Sequence, residues 1–383
     1  MTYTTPIRLG MVGGGQGAFI GAVHRIAMRI DGQFNLVAGA LSSTPEKALA
    51  SAVELGIDAE RSYGSYDEMA KAEAARDDGI EVVAIVTPNH MHAGPAIAFL
   101  KAGIHVICDK PLSNTVEDSL LIAAAAKASG KLFILTHNYT GYPLIRQAKA
   151  MIAAGELGDI RMVQAEYAQD WLTEPTDADN KQAAWRTDPA RSGVGGCVGD
   201  IGTHAYNLSR FVTGLELDSL SADIDAFVAG RLVDDNINVM LRFKGGAKGM
   251  LWASQVAVGN ENNLTLRIYG SKGGLEWAQE NPNIMYYTPF GEAKRILTRG
   301  GAGANDAANA VTRTPGGHPE GYLEGFATIY NEAAASIRAA RAGHLDTGAL
   351  PTIDDGVEGV RFILAVVNSS KENAKWVTLA EQS

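Results

Sequence analysis

The chain has 383 residues, of which 46% are apolar and 20% charged, and its formal net charge is −10. That length exceeds one average core and suits two globular domains. The acidic balance argues against a nucleic-acid partner, which asks for a positive face. No apolar run approaches the roughly 20 residues of a membrane helix, so no membrane association is expected. Only Cys108 and Cys197 are present, far apart and outside any Cys/His metal spacing. We expect free thiols, no bound metal and a reducing cytoplasm, since "MTYTTPIRLG" also lacks the parts of a signal peptide.

The first 140 residues alternate strand and helix. "IRLGMVG" reads as a strand, and "AFIGAVHRIAMRI" as a helix with an apolar stripe of Phe19, Val23, Ile26 and Ile30. "FNLVAGALS" is a second strand and "PEKALASAVELG" a second helix opened by Pro45. "IEVVAIVTP" is a continuous apolar run, the mark of a strand buried on both faces of a parallel sheet. "HAGPAIAFLKAG", "HVICDKP", "VEDSLLIAAAAKASG" and "LFILTHN" continue the series as helix, strand, helix and strand. Such a chain of βαβ units predicts a doubly wound parallel sheet.

From Ile160 onward long strands dominate: "RMVQAEYAQDWL", "LSADIDAFV", "INVMLRFKGGAKGMLWASQVA", "NLTLRIYGSKGGLEW" and "NIMYYTP". Alternation and the Gly245-Gly246 turn mark antiparallel hairpins. Residues 300–321 have no periodicity and are expected to form a long loop, of the kind that often serves as a lid or binding loop. Two helices are predicted near Tyr322–Ala342 and Asp354–Ala374. The domain boundaries expected are 1–140 and 141–383.

Gly13-x-Gly15 follows a strand and precedes a helix, the context in which glycines let a pyrophosphate approach the helix N-terminus. Ala18 or Gly21 is the third small residue. A dinucleotide site of the NAD kind usually has an acidic residue at the end of strand two. Here "GALSSTPEK" offers Ser42, Ser43 and Lys47 instead, which permits NADP and does not exclude NAD. "TPNHMHAG" ends the third strand, so Asn89, His90 and His92 are expected to face a cofactor, with turn and capping roles as the alternative. Lys110, after Asp109 and before Pro111, ends the fourth strand, where an ammonium can stabilise a developing alkoxide. Asp200 and His204 are four apart and share a helix face, an arrangement suited to deprotonating a hydroxyl, or to a structural hydrogen bond.

The glycine turn, "TPNHMH", "DKP" and "GDIGTHAYNL", in this order, resemble the Gfo/Idh/MocA oxidoreductases, over essentially the whole chain. The elongated "GGGQGAFIGAVHR", with "HNYTGYP", "QDWL", "WRTDPARSG" and "GGHPEGY", is most similar to the levoglucosan dehydrogenase and sugar 3-dehydrogenase branch. The resemblance implies an α/β protein with an N-terminal Rossmann domain for NAD(P) and a C-terminal domain built on a large, mostly antiparallel open sheet. That second domain would bind substrate and form a homodimer or homotetramer. Lys110, Asp200 and His204 would be catalytic. Cofactor contacts would come from Gly13, Gly15, Gln16, Gly17, Ala18, Phe19 and Ile20, from Ser42, Ser43 and Lys47, from Thr87, Pro88, Asn89 and His92, and from Asp109, Lys110 and Asn138. Besides the catalytic three, Tyr139, Gln169, Asp170, Trp171, Arg186 and His318 would meet the substrate, with Trp185 nearby.

The activity implied is oxidation of a secondary sugar or polyol hydroxyl to a ketone with NAD or NADP, a levoglucosan-type anhydro-sugar or a glucoside C3 hydroxyl being favoured. An inositol dehydrogenase, an NAD-dependent glycosidase using transient redox, and a non-catalytic sugar and dinucleotide sensor are the alternatives.

Overall fold

The computed structural model describes residues 5–175 and 180–382. It contains two compact units, one of residues up to Asn138 together with Leu323–Val357, the other of Tyr139–Tyr322 with the residues from Glu358 on.

The first unit is built on five parallel strands, β1 (Ile7–Gly13), β2 (Phe34–Ala40), β3 (Val82–Val86), β4 (His105–Cys108) and β5 (Phe133–Leu135), in the order β2-β1-β3-β4-β5. Every residue of β3 and β4 is buried, which is why those strands read as unbroken apolar runs. The connecting helices are α1 (Phe19–Ile30), α2 (Pro45–Leu55), α3 (Tyr66–Ala74), α4 (Ala93–Lys101) and α5 (Val116–Ser129). The buried face of α1 is Val23, His24, Ala27 and Met28, while Phe19, Ile26 and Ile30 are exposed. The expected stripe was therefore out of phase, because a histidine and a methionine four apart take the core side. Helix α3 was not foreseen; its apolar pattern is weak, and Ser65 starts it by accepting the Glu68 N–H.

The segment Leu323–Val357 packs into this unit. Tyr330 Oη lies 2.8 Å from His24 Nδ1, Arg338 donates to Gln33 at 2.6 Å, and Thr352 bridges Ile134 of β5.

The second unit carries α6 (Pro143–Ala153), β6 (Ile160–Ala168), the short α7 (Lys181–Arg186) and α8 (Pro189–Ser192), a π-helical turn at Val198–Gly202, and α9 (Thr203–Thr213). Strands β7 (Leu217–Asp225), β8 (Asn236–Phe243), β9 (Lys248–Ser254), β10 (Asn263–Gly270), β11 (Gly273–Ala278), β12 (Ile284–Pro289) and β13 (Arg295–Thr298) follow. The sheet order is β13-β12-β11-β10-β6-β9-β8-β7, antiparallel except for the parallel β6–β9 pair. Gly245 and Gly246 take φ of +83° and +98° and close the β8–β9 hairpin, as their spacing predicts. One sheet face packs a core that includes Leu144, Tyr206, Leu266 and Phe362, with Tyr206 and Phe362 stacked at 4.0 Å. Helices α10 (Asp306–Asn309), α11 (Tyr322–Arg341) and α12 (Ile353–Lys371) complete the chain.

Residues 300–321 are not a loose loop. Arg299 and Glu320, whose side chains are 2% and 1% exposed, meet at 3.0 Å at its base. Arg299 also donates to the carbonyls of Thr314, Pro315 and His318, and Glu320 accepts from the N–H groups of Arg313 and Thr314. A buried charge needs such partners, and here they pin the segment.

Candidate active site

The carboxyl ends of β1, β3, β4 and β5 are brought side by side by their registers, and sheets of this kind bind ligands outside such ends, where the strand order reverses. At the end of β1, Gly13, Gly14 and Gly17 all have positive φ. A Cβ on Gly15 would lie 2.7 Å from the Leu41 carbonyl oxygen, and one on Gly21 would lie 2.4 Å from the Gly14 Cα. Gly21 is thus the third glycine, the one that lets α1 pack on the turn. Ala18 instead occupies the N-cap of α1 and offers no side-chain cap, so the first turn has none from that residue. Phe19 is exposed, Ile20 is half-buried, and the Gln16 amide reaches Glu54 of α2 at 2.9 Å. After β2, Ser42 accepts the Thr44 N–H, and Ser43 and Lys47 are exposed.

Beyond β3, Thr87 and Pro88 are half-buried, Asn89 is buried and His90 is exposed. His92 is fully buried, with Nδ1 2.9 Å from the Pro111 carbonyl and Nε2 2.8 Å from the Thr87 carbonyl. Both ring nitrogens thus face backbone carbonyls, and the one N–H of the neutral imidazole donates to one of them. Burial holds its pKa below the usual histidine range.

After β4, the Asp109 carboxylate accepts the Lys110 N–H at 2.9 Å and the Thr136 hydroxyl at 3.0 Å, and the Lys110–Pro111 peptide is cis. This ties Lys110 to β5 as well as β4. Asn138 is buried, and its Nδ2 has no hydrogen-bond partner, an unmet donor of the sort a polar ligand atom satisfies. Glycine cradle, open helix end and unmet donor fit a dinucleotide.

The second unit assembles the remaining residues. Asp200 lies in the π-helical turn and His204 in the first turn of α9. The start of the π-helical turn is held by buried Asp234, which accepts the N–H groups of Gly196 and Val198, each at 2.7 Å. Asp200 is held from both sides: Arg186 Nε lies 3.2 Å from Oδ1, and Gln255 donates to Oδ2 at 2.9 Å. The Arg186 guanidinium sits over Trp185 at 4.3 Å and Trp171 at 5.8 Å. Trp171 donates to Gln169 at 2.9 Å and is 40% exposed, a wall residue rather than a core one. Tyr139 is buried against His204, and its hydroxyl is 2.5 Å from that of Tyr167. Burial pushes both phenols up.

Two further sequence candidates make backbone contacts. Asp170 accepts the Gly259 N–H at 2.9 Å, and the exposed His318 engages Arg299 through its carbonyl. Sequence reasoning missed Gln255, Asn262, Asp234 and Tyr167, which are polar or aromatic residues on strands or in strand-end loops with no motif around them. Cys108 and Cys197 are buried, and burial pushes both thiols up, which makes them poor nucleophiles. Among the described residues no group of three His, Cys, Asp or Glu could hold a metal, and no helix is long and apolar enough to cross a membrane.

The parallel sheet and its strand-end turns define an NAD-binding oxidoreductase, and residues 7–139 match the oxidoreductase family with an NAD-binding Rossmann fold. Residues 145–276 match the GFO/IDH/MocA C-terminal domain, and the chain belongs to the Gfo/Idh/MocA family. An oxidoreductase from Sinorhizobium meliloti is 57% identical, with a TM-score of 0.90 over 98% of this chain and 100% of that one. An inositol dehydrogenase homolog from Azotobacter vinelandii, complexed with NADH and myo-inositol, is 36% identical, with a TM-score of 0.91 over 97% of each chain. A levoglucosan dehydrogenase from Pseudarthrobacter phenanthrenivorans is 32% identical over 72% of this chain and 74% of its own.

Proposed function

We propose that the protein oxidises a secondary hydroxyl of a sugar or sugar-like polyol to a ketone, with a levoglucosan-type anhydro-sugar or a glucoside C3 hydroxyl as the favoured substrate. The observation that carries this reading is the wall around Asp200. A carboxylate, a guanidinium stacked on two tryptophans and a histidine on an aromatic shelf suit a ring that is rich in hydroxyls and partly apolar. The likeness to a levoglucosan dehydrogenase supports the choice of sugar. The A. vinelandii relative favours a second reading, an inositol.

NAD is the first choice of cofactor, on the NADH of that relative. Ser42, Ser43 and Lys47 present no carboxylate to repel a 2′-phosphate, so NADP is the comparison. The glycine turn, Thr87–Asn89, Lys110 and Asn138 would hold the dinucleotide, whose nicotinamide supplies the hydride acceptor. His204 takes the hydroxyl proton, and Lys110 stabilises the oxygen as its charge develops. Asp200 binds a substrate hydroxyl and orients His204. The first unit, which takes in Leu323–Val357 beyond the expected 1–140, thus serves the cofactor and the second the substrate. The outer sheet face, where Met162, Met240, Met250 and Ile296 are each more than half exposed, forms the homodimer or homotetramer contact of a cytoplasmic enzyme.

Purified protein with NAD or NADP, offered levoglucosan, glucosides and myo-inositol, is followed by reduced-nicotinamide absorbance. Net reduction with free sugar is expected; bond cleavage without net reduction would identify a redox glycosidase. Lys110→Ala and His204→Ala are expected to lower turnover by about 10²–10⁴-fold with cofactor still bound. Near-full turnover in either variant sinks the assignment.

A further inference from the structure

Behind His204 runs a hydrogen-bond network whose polarity follows from donor and acceptor chemistry alone. It starts at Trp171, whose indole N–H can only donate. Its acceptor at 2.9 Å is therefore the amide oxygen of Gln169. That leaves the Gln169 amide nitrogen facing Asn262, where it donates to Oδ1 at 2.7 Å. The orientation of Asn262 is now set: Oδ1 accepts, and Nδ2 points the other way, to Gln279 Oε1 at 3.1 Å and the Tyr139 hydroxyl at 3.5 Å. Tyr167 also donates to Asn262 Oδ1, at 2.8 Å. A phenol has one proton, so in the 2.5 Å contact between the two tyrosines Tyr139 is the donor and Tyr167 the acceptor.

We propose that Asn262 is a positioning residue for the oxidation: it carries the direction set at Trp171 on to Tyr139, and so holds the shelf on which His204 sits. This rests on the reading of His204 as the proton acceptor. Trp171 is 40% exposed, Gln169 and Asn262 are half-buried, and Tyr139 and Tyr167 are 4% and 3% exposed. Reversing any bond there strands a donor against a donor. Because the Tyr139 proton is committed to Tyr167, the phenol does not compete for the proton His204 must take. The same amide holds Gln169, and through it Trp171, over whose ring lies the Arg186 guanidinium that pairs with Asp200. Asn262, in the turn before β10, thus links the proton-accepting side of the site to its aromatic wall.

The first test needs no substrate. The Trp171 indole N–H resonance is assigned by its loss in Trp171→Phe, then followed in Tyr139→Phe with and without Asn262→Ala. The expected result is a shift caused by Tyr139→Phe in the parent and none in the Asn262→Ala background. An indole resonance indifferent to Tyr139→Phe, or a shift that persists without Asn262, overturns the proposal. The second test uses levoglucosan and NAD: Asn262→Ala should lower kcat about tenfold and leave KM for NAD within about twofold. A parental kcat in this variant overturns it as well. Circular dichroism checks folding, and Asn262→Ser replaces the alanine variant if that one does not fold. A parent inactive on every sugar defeats the dehydrogenase reading, and the resonance measurement then decides the network on its own.

Discussion

Tyr139 meets His204 edge to face, with ring centroids 4.8 Å apart and planes at 74°. Such a pair restrains the imidazole without touching its protonation, since the phenol proton goes to Tyr167. Tyr139→Ala should remove the restraint and open a cavity, costing about 3–5 kcal/mol of stability by the usual range for large aromatic truncations. Turnover should fall more than substrate affinity. Tyr139→Phe keeps the ring and removes one buried donor, so a loss of about 1–2 kcal/mol is expected. Urea unfolding and steady-state kinetics check both, and equal effects from the two variants would contradict the shelf.

Asp200 owes its place to Gln255 as well as to Arg186. Gln255→Leu leaves the Oδ2 oxygen without that donor. A hydrogen bond to a charged group contributes about 1.5–3 kcal/mol, so kcat/KM should drop about 10–100-fold. An unchanged value would show that Arg186 alone positions the carboxylate.

The glycines of the first turn differ in what a methyl group would meet. Gly21→Ala drives a Cβ to 2.4 Å from the Gly14 Cα, and a backbone atom cannot move aside cheaply. A stability loss of about 2–3 kcal/mol and weakened NADH binding are expected. Gly17→Ala meets nothing within 4 Å but sits at φ +78°, so only about 1 kcal/mol is at stake. Fluorescence titration with NADH and urea melts should rank Gly21→Ala as the worse variant.

His24 is fully buried, and burial lowers its pKa from 6.5 to about 4. The unfolded chain therefore binds a proton that the native one refuses between those values. Stability from this group is complete above pH 6.5 and declines as the pH falls toward 4, by up to about 3 kcal/mol. His24→Gln should unfold at a pH-independent offset above 6.5 and converge on the parent in acid. Urea midpoints measured across that range check the slope, and parallel curves would show that His24 does not titrate this way.

The parallel sheet was legible because strands buried on both faces must be apolar throughout, and "IEVVAIVTP" and "HVICDKP" leave no other economical fold. The dinucleotide turn was legible as a motif, since its chemistry depends on local spacing, and Lys110, Asp200 and His204 stand out as candidates for the same reason. Strand β13 escaped notice because it is a short edge strand whose residues are mostly exposed. The anchoring of residues 300–321 escaped it too: a single buried Arg299–Glu320 pair 21 residues apart leaves no periodic signal.

By itself the sequence determined most of the order of elements, the glycine turn and the motif candidates, all of them set by contacts close along the chain. Only the tertiary structure decided which third glycine packs against the first turn. It also decided that His92 faces backbone carbonyls on both sides, that Leu323–Val357 joins the first unit, and that Asn262 meets both Tyr139 and Tyr167. Each of these depends on which atoms meet across long separations. A buried donor is satisfied by whatever acceptor the fold brings to it, and neighbouring residues carry no record of that choice.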